Sequence, residues 1–339
     1  MTSPVGAVRI FEAGPSPDGW ALVVHGGAGA RITELSEQAR RAHAGGLTGA
    51  YRAGAALLAA GGDALDAVCA AVRVLEDDPL FNAGRGAVLT DAGTAELDAC
   101  VMTGDGRAGA VTVCRFARNP VFAARHVWQE NRAVLLADPS EERLAGWGLE
   151  TVSPEHFVTA ERQAQWRAAR TDAARDSAAG DGAAPDGAVP DGAAGSGVAG
   201  GSSHGSFGTV GAVALDAAGH LAAATSTGGR DGQAVGRVGD TPIVGAGTYA
   251  RDGLAAVSGT GEGEAFMRGV VAYDVAARIR YLGVSLADAV RATIEQELTA
   301  RQASGGLIAV AADGSAVVAH NSPAMFAAFH DGAQLVIRT

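Results

Sequence analysis

The chain has 339 residues, of which 47% are hydrophobic and 19% are charged, and its formal net charge at pH 7 is −11. This length and composition predict a globular protein with one large core or two ordinary ones, and they exclude disorder of the whole chain. The acidic balance, without any run of Lys or Arg, argues against nucleic acid or an anionic membrane as partner and favours a small-molecule substrate.

The first half of the chain is predicted to contain helices and one hairpin. The predicted elements are a buried strand at 20–24, helices at 36–60, 63–75 and 121–136, and an antiparallel hairpin of 96–102 and 109–116. The helix at 63–75 has a 3.6-residue apolar period, with Asp63 as its N-cap. The glycines at 25–29 directly follow the first strand, so we expect a tight loop there.

A segment of different composition interrupts the chain. Residues 171–206 contain no aromatic residue and repeat Asp-Gly-Ala units in tandem. Such a segment buries too little apolar surface to offset the entropy of ordering. We therefore predict a disordered linker over 171–208, which separates an N-terminal part, 1–170, from a C-terminal part, 209–339.

The second half again combines strand pairs and helices. Its predicted elements are a hairpin of 209–216 and 220–226, a strand at 254–259, helices at 263–281 and from Ser285 onward, and strands at 306–312 and 315–320. Strand pairs on both sides of the linker, with helices in separate blocks, predict an α+β fold of two stacked antiparallel sheets with helices outside.

Several familiar sites are absent from the sequence. The eight histidines are scattered, no Cys or His group has metal-ligand spacing, and neither a G-x-S-x-G elbow nor a P-loop occurs. We expect no cofactor for catalysis. No apolar run approaches the roughly 20 residues that span a bilayer. Because the first residues also lack a secretory pattern, we predict a cytoplasmic protein.

One glycine motif suggests a different class of protein. Residues 242–250 combine a strand-like run with G-x-G-x-x-A, the fingerprint of dinucleotide-binding enzymes. Such a turn must open a helix, whereas here 251–253 predict another turn before the strand at 254–259. We therefore interpret 242–250 as a structural turn.

The dipeptide Gly208-Thr209 stands where the predicted linker ends and a strand begins. Cleavage before Thr209 would give it a free α-amine with a pKa of about 8, which can act as the base for its own hydroxyl. Gly208 easily adopts the conformations that bring this hydroxyl onto the preceding carbonyl. The dipeptide alone favours an ordinary strand start, because any strand may begin with Gly-Thr.

Seven stretches together resemble the plant-type asparaginases, or isoaspartyl peptidases, of the N-terminal nucleophile hydrolase superfamily. They are LVVHGGAGA at 22–30, ELDACVM at 96–102, GTVGAVALD at 208–216, VSGTGEGEAFMR at 257–268, and residues 63–93, 222–247 and 304–310. The resemblance implies a four-layer αββα fold, self-cleavage between Gly208 and Thr209 into two subunits, and a dimer of heterodimers, (αβ)2. It also implies hydrolysis of β-aspartyl dipeptides and L-asparagine through a β-aspartyl ester of the enzyme.

The resemblance implies catalytic roles for four residues. Thr209 is the implied nucleophile, and Thr227 hydrogen-bonds near it on the adjoining strand. Thr260 and Gly261 match an oxyanion hole made of a hydroxyl and a backbone N–H. The glycine loop at 25–29 matches one that is linked to self-cleavage.

Substrate contacts and a structural ion follow from the same resemblance. Arg237 and Asp240 match the residues that bind the α-carboxylate and the α-amine of the substrate, and a guanidinium and a carboxylate suit those groups. Without the family, an R-x-x-D pattern would be interpreted as a surface ion pair. Asn82 matches an asparagine that approaches the nucleophile. A structural sodium ion is implied on the backbone carbonyls of Leu75, Glu76, Asp78, Phe81, Ala83 and Arg85.

Three positions depart from the family pattern. Gln233 stands where relatives often have Lys, Thr103 where many have Asp, and Glu262 where Thr or His is common. These departures leave the substrate preference open, because a carboxylate at Glu262 would oppose a developing oxyanion if it faced the site.

Other functions stay open at this point. Glycosylasparaginases and threonine aspartases of the same superfamily have Asp before the catalytic Thr, whereas this chain has Gly208, which favours the asparaginase branch. A non-catalytic binding protein with the same fold would stay uncleaved.

Overall fold

A computed structural model describes residues 5–180 and 208–339. The α-helices of this part are α1 (Glu37–Ala59), α2 (Ala64–Asp77), α3 (Pro120–Glu130), α4 (Glu141–Gly146), α5 (Ala160–Gly180), α6 (Gly263–Gly269), α7 (Val271–Leu282) and α8 (Leu286–Thr293). The strands are β1 (Arg9–Ala13), β2 (Ala21–Ala28), β3 (Leu97–Thr103), β4 (Ala108–Cys114), β5 (Leu135–Ala137), β6 (Val210–Leu215), β7 (Leu221–Thr227), β8 (Thr248–Ala250), β9 (Ala255–Gly261), β10 (Gly305–Ala311), β11 (Ala316–His320), β12 (Met325–His330) and β13 (Leu335–Arg338). Within these ranges no helix is both long and apolar enough to cross a membrane.

The strands form two sheets. The larger sheet has the order β13-β12-β2-β6-β7-β3-β4-β5, and the smaller one has the order β1-β11-β10-β9-β8. Neighbouring strands are antiparallel, except that β4 and β5 are parallel. β6 and β7 come after the predicted linker, yet they lie between β2 and β3, which come before it. The two parts of the chain therefore share one sheet.

Three apolar clusters hold these elements together. The first packs α1, α2 and α3 against one face of the larger sheet, with Val68 and Val210 among its members. The second combines residues of both sheets, such as Val213 and Ile308. The third packs α6, α7 and α8 against the smaller sheet. The chain thus has the mixed α+β architecture with two sheets that the sequence predicts.

The central strands are apolar on both faces. In β6, Val210, Ala212 and Ala214 belong to the first cluster, whereas Val213 and Leu215 belong to the second. Successive side chains of a strand point to opposite faces, so both faces of β6 are covered. This double burial explains why its sequence is a run of small apolar residues without polar alternation.

The predicted hairpins and helix caps are confirmed. β3 pairs with β4, β6 with β7 and β10 with β11. Asp63 accepts a hydrogen bond from the Asp66 N–H at the start of α2, and Ser285 accepts one from the Asp288 N–H at the start of α8. Both caps satisfy N–H groups that have no partner inside the helix.

The prediction of a tight loop at 25–29 is wrong, because β2 continues through His25 and the glycines to Ala28. A Cβ atom at Gly26 would lie 2.5 Å from the Phe81 ring, so only glycine lets the strand pass there. These glycines are therefore part of the larger sheet, beside β6.

The predicted helix at 121–136 ends early. α3 stops at Glu130 because Asn131 adopts the left-handed conformation, with φ of 50°. The chain then turns back to form β5, which lies parallel to β4. The last predicted turns of this helix are therefore a strand at the edge of the sheet.

The predicted helix at 263–281 is broken at Val270, whose φ is 46°, into α6 and α7. The break lets the first N–H groups of α7 donate to the carbonyls of Gly245 and Ala246. These carbonyls belong to the glycine motif at 242–250, which leads into β8 and not into a helix. The interpretation of this motif as a structural turn is confirmed.

The N-terminal end of the predicted linker differs from the expectation, because α5 continues to Gly180. Three of its side chains, spaced by four residues, donate to backbone carbonyls: Arg162 to Gly86, Trp166 to Thr90 and Arg170 to Asp91. These bonds fix α5 on the segment before β3. Residues 181–207 of the predicted linker lie outside the described residues.

Candidate active site

Buried hydroxyl groups collect at one end of the interface between the two sheets. The face of β7 that points to the smaller sheet is apolar at its start and ends in Thr225 and Thr227. In β9 the corresponding face ends in Ser258 and Thr260. All four side chains are buried. An otherwise apolar interface therefore has a polar end.

Thr209 lies at this polar end, directly before β6, and is buried. The pairing of Val210 with Ser226 in the β6–β7 hairpin brings Thr209 beside Thr227. The Thr209 hydroxyl donates to Thr227 Oγ1 at 3.2 Å, and Thr227 Oγ1 also accepts from the Gly229 N–H at 3.0 Å. The structure thus brings together the predicted nucleophile and its predicted neighbour.

Gly208 is enclosed between β2 and β9. A Cβ atom on Gly208 would collide with Thr260 Oγ1, and one on Gly27 would lie 2.7 Å from the Gly208 nitrogen. Gly27 also has a φ of +113°, which favours glycine. The Gly208–Thr209 bond is therefore surrounded by backbone and by the Thr260 hydroxyl.

The Thr260 hydroxyl is buried and has no hydrogen-bond partner among the described residues. A buried polar group without a partner costs about 1–3 kcal/mol, so such groups call for a functional explanation. The next residue, Gly261, has a φ of +146° and lies against the backbone of Ser304 and Gly305. Thr260 therefore offers a hydroxyl donor beside Gly208 that has no partner among the described residues.

His25 connects the two sheets beside Thr209. Its Nε2 lies 2.9 Å from Ser258 Oγ, which lies 2.8 Å from Thr225 Oγ1, and Thr225 accepts from Thr248 at 2.7 Å. Burial lowers the pKa of His25 to about 3, and the Thr209 backbone offsets part of this effect. The imidazole is therefore neutral. Ser258, Thr225 and Thr248 were not predicted from the sequence; their signal is a polar position on an otherwise apolar strand face.

The segment 236–240, which we call the arm, carries Arg237 and Asp240. The guanidinium of Arg237 forms an ion pair with Glu264, donating to its Oε1 from Nε at 3.1 Å and from Nη2 at 2.9 Å. The described ion pairs of Arg237 do not include Asp240, so the R-x-x-D pattern is not a surface ion pair. Instead, a Cβ atom at Gly263 would lie 2.7 Å from Asp240 Oδ1 and 3.1 Å from Arg237 Nη2. The two side chains converge on Gly263.

Asp240 is buried, and its Oδ2 has no hydrogen-bond partner in the described part of the chain. Burial raises the pKa of this carboxyl to about 7, although its own backbone N–H and the charge of Arg237 lower it in part. Burial also disfavours ionised Glu264, but Arg237 outweighs this and keeps the pKa of Glu264 low. Asp240 therefore has no ion-pair partner among the described residues, whereas Glu264 has Arg237. Sequence reasoning missed Glu264, which lies far from Arg237 along the chain.

Asn82 supports the turn that follows β7. Its Nδ2 donates to the Gly229 carbonyl at 2.8 Å, and its Oδ1 accepts from the Val88 N–H at 2.9 Å. The Asn82 carbonyl accepts from the Gly228 N–H at 3.0 Å. These hydrogen bonds place Asn82 next to the turn that begins at Thr227. Thr227 therefore lies between Asn82 and the predicted nucleophile, Thr209.

The three departures from the family pattern lie in different places. Gln233 Oε1 accepts from Arg237 Nη1 at 3.1 Å. Glu262 is exposed, and its Oε1 accepts from the Ser304 N–H at 2.9 Å. Thr103 lies at the end of β3 that is remote from the hydroxyl cluster. Gln233 is therefore the departure that touches a predicted substrate-binding residue.

The loop after α2 brings main-chain oxygens close together. A Cβ atom at Gly84 would collide with the Glu76 carbonyl, and one at Gly86 would collide with the Phe81 carbonyl and lie 2.6 Å from that of Pro79. Among the described residues no group of three or more His, Cys, Asp or Glu side chains could hold a metal. A cation here would bind main-chain oxygens, which suit hard cations.

The chain is similar to known proteins over most of its length. Residues 18–337 match the asparaginase family model. The chain is 43% identical to the isoaspartyl peptidase of Escherichia coli K12 over 311 residues, which cover 91% of this chain and 92% of that protein. It is 44% identical to the isoaspartyl peptidase of Salmonella typhimurium over 311 residues, 91% and 94% of the two chains. The probable isoaspartyl peptidase/L-asparaginase 2 of Arabidopsis thaliana is 38% identical over 315 residues, 91% and 94% of the two chains.

Proposed function

The chain belongs to the asparaginase family, and from this membership we propose that it is a self-cleaving amidohydrolase with Thr209 as its nucleophile. The substrates are β-aspartyl dipeptides and L-asparagine. The observation that carries the proposal is a hydrogen bond: Thr209, which directly follows Gly208, is buried and donates from its hydroxyl to Thr227.

Self-cleavage takes place at the Gly208–Thr209 bond. The Thr209 hydroxyl attacks the Gly208 carbonyl carbon, the C–N bond breaks, and the hydroxyl proton passes to the departing Thr209 nitrogen. This leaves a Gly208 ester on Thr209 Oγ1, which water hydrolyses to a Gly208 carboxylate. The Thr260 hydroxyl donates to the oxyanion on the Gly208 carbonyl, a role supported by its place beside Gly208 and by its lack of a described partner.

The cleaved Thr209 then acts on substrates. Its free α-amine takes the proton of its own hydroxyl, and the oxygen attacks the β-carbonyl carbon of the substrate. The Thr260 hydroxyl and the Gly261 N–H stabilise the oxyanion. The leaving amine takes the proton, and water hydrolyses the β-aspartyl ester, so that L-aspartate is released.

The arm distinguishes β-aspartyl from α-aspartyl compounds. Arg237 binds the α-carboxylate and Asp240 binds the α-ammonium, and both groups are free only in the β-linked isomer. The ion pair with Glu264 fixes the orientation of the guanidinium and leaves N–H groups on both terminal nitrogens for the carboxylate. An α-aspartyl peptide has used its α-carboxylate in the peptide bond and leaves Arg237 unpaired.

The four-layer αββα arrangement and the two-subunit form are part of this proposal. The three apolar clusters support the layering, because they pack helices on each sheet and the sheets on each other. The fragments 1–208 and 209–339 stay together after cleavage, because β6 and β7 lie between β2 and β3. The expected assembly is the (αβ)2 dimer of heterodimers, and the expected location is the cytoplasm.

A structural sodium ion on the loop after α2 is also proposed. The carbonyls of Glu76, which lies against Gly84, and of Phe81, which lies against Gly86, support it. Its test is thermal unfolding in sodium chloride and in choline chloride at equal ionic strength. A higher Tm in sodium supports the ion, whereas equal Tm values contradict it.

The proposed function is tested with purified, incubated protein. The parent should hydrolyse β-aspartyl-leucine and L-asparagine, Thr209→Ala should lose both self-cleavage and hydrolysis, and Thr209→Ser should retain part of each. Thr33→Ala, which removes an exposed hydroxyl that donates to the Ala30 carbonyl, is the control and should behave like the parent. Hydrolysis by Thr209→Ala at the parent rate would show that the nucleophile is another residue.

A further inference from the structure

A bulge between β3 and β4 directs two donors onto one buried carboxylate. At the bulge, the single residue Asp98 of β3 lies opposite two residues of β4, Thr112 and Val113. Thr112 Oγ1 donates to Asp98 Oδ1 at 2.5 Å, and the Val113 N–H donates to the same oxygen at 3.1 Å. Val113 has a φ of 52°, which is unfavourable for a β-branched residue. The bulge thus keeps a strained residue where its N–H meets Asp98.

The other oxygen of Asp98 holds the arm. The Gly239 N–H, directly before Asp240, donates to Asp98 Oδ2 at 3.3 Å. Glu96, two residues before Asp98, accepts from the Gly236 N–H at 2.7 Å. Both carboxyl side chains are buried. The arm is therefore attached near both of its ends to one short segment at the start of β3.

Asp98 also lies beside Thr227, the neighbour of the nucleophile. In the pairing of β3 with β7 it is directly opposite Thr227, which hydrogen-bonds to Thr209. Burial raises the pKa of Asp98, and its hydrogen bonds and the charge of Arg237 lower it in part. Asp98 thus connects β7, whose Thr227 hydrogen-bonds to the nucleophile, with the arm that carries Arg237 and Asp240.

We propose that Asp98 is a positioning residue for substrate recognition, an inference that rests on the proposed function of the arm. By holding Gly239, Asp98 sets the distance between Asp240 and the Thr209 hydroxyl, so that the α-ammonium and the scissile carbonyl of a substrate are held together. Its loss weakens binding more than it slows the chemical step. Self-cleavage is unaffected, because it does not use the arm.

The test compares KM and kcat on β-aspartyl-leucine. Asp98→Asn keeps the shape of the side chain but turns an amide N–H toward the Gly239 N–H, so KM should rise about tenfold while kcat stays within about threefold. Asp105→Asn, in the exposed turn after β3, is the matched control and should change neither. Thr112→Val removes one donor to Asp98 at constant volume and should raise KM about threefold. It replaces Asp98→Asn if that variant does not fold.

A double-mutant cycle separates positioning from general damage. On an Asp240→Ala background, Asp98→Asn should raise KM less than about threefold, because the residue it positions is gone. An equal factor in both backgrounds, or a lower kcat at unchanged KM, overturns the proposal. A parent that fails to hydrolyse the dipeptide contradicts the proposed function. In that case, calorimetry with L-aspartate tests this inference separately. Binding to Asp98→Asn that is about tenfold weaker than binding to the parent supports it. Equal affinity of parent and variant, or no detectable binding to either, overturns it.

Discussion

The hydroxyl of Thr209 donates to the hydroxyl oxygen of Thr227 at 3.2 Å. Thr227 Oγ1 also accepts from the Gly229 N–H, and Asn82 holds the Gly229 carbonyl. The turn after Thr227 therefore fixes the position of the Thr227 hydroxyl. As a result, the Thr209 oxygen is oriented before a substrate binds. Orientation of this kind matters because a small displacement of a reacting atom has a large effect on rate.

Removal of the Thr227 hydroxyl should slow the reaction. Thr227→Val keeps the volume but loses the acceptor for Thr209, so kcat on β-aspartyl-leucine should fall by roughly 10- to 100-fold. Thr227→Ser keeps the hydroxyl and should stay within about threefold of the parent. Steady-state rates check this. Equal rates for the Val and Ser variants would mean that the hydrogen bond to Thr209 has no part in catalysis.

Loss of Arg237 should reduce recognition of the substrate without affecting processing. Charge-assisted hydrogen bonds contribute about 1.5–3 kcal/mol each. Arg237→Ala should therefore lower kcat/KM on β-aspartyl-leucine by about ten- to a hundredfold, while a gel still shows cleavage at Gly208. Arg107→Ala, which removes an exposed ion pair with Asp105, is the control. An unchanged β-aspartyl rate in Arg237→Ala, or equal rates of the parent on α- and β-aspartyl-leucine, would contradict the role of the arm.

The sequence predicts the elements of the site better than its contacts. The β6–β7 hairpin and the caps at Asp63 and Ser285 follow from signals within a few residues, and the structure confirms them. The ion pair of Arg237 with Glu264 joins residues that are distant along the chain. No local pattern encodes such a contact, because it depends on how β9 and α6 pack beside the arm.

Binding of L-aspartate should depend on pH through Asp240. Burial raises the pKa of Asp240 to about 7, so below this pH the carboxyl is protonated and binds the α-ammonium poorly. Affinity should therefore rise between about pH 6 and 8. Calorimetry at each pH checks this. The control is Asp240→Asn, which removes the titration of Asp240 and keeps the Thr209 amine, so the difference between parent and variant isolates Asp240. A parent and a variant with the same pH dependence would contradict the role of Asp240.

The same pKa shift affects stability with the opposite trend in pH. The folded protein holds the Asp240 proton up to about pH 7, whereas the unfolded chain releases it near its ordinary pKa of about 4. The contribution of Asp240 to the free energy of unfolding therefore falls as pH rises between these values. Asp240→Asn should flatten this part of the stability profile in urea unfolding. An unchanged profile would show that burial does not raise this pKa.

The attachment of α5 should stabilise the segment before β3. Trp166 donates from Nε1 to the Thr90 carbonyl at 2.9 Å, and its ring lies against Gly93. Trp166→Ala should lower the free energy of unfolding by about 1–3 kcal/mol. Arg167→Ala changes an exposed residue on the same helix and should stay within about 0.5 kcal/mol. Equal values for the two variants in urea unfolding would contradict the anchoring role.

The differences between expectation and structure have physical causes outside the local sequence. β2 passes through His25 and its glycines because only glycine fits beside Phe81. The helix at 263–281 breaks at Val270 because the N–H groups of α7 find acceptors at Gly245 and Ala246. In each case a distant partner overrides the local preference, and that partner is visible only once the sheets are assembled.

The most direct test of the central claim is N-terminal sequencing and intact mass of the purified protein after incubation. Self-cleavage at the Gly208–Thr209 bond should give two associated fragments, 1–208 and 209–339, the second with Thr209 as its first residue, and Thr209→Ala should stay uncleaved. A chain that stays whole while it hydrolyses β-aspartyl-leucine, or a new N-terminus at any other residue, would contradict it.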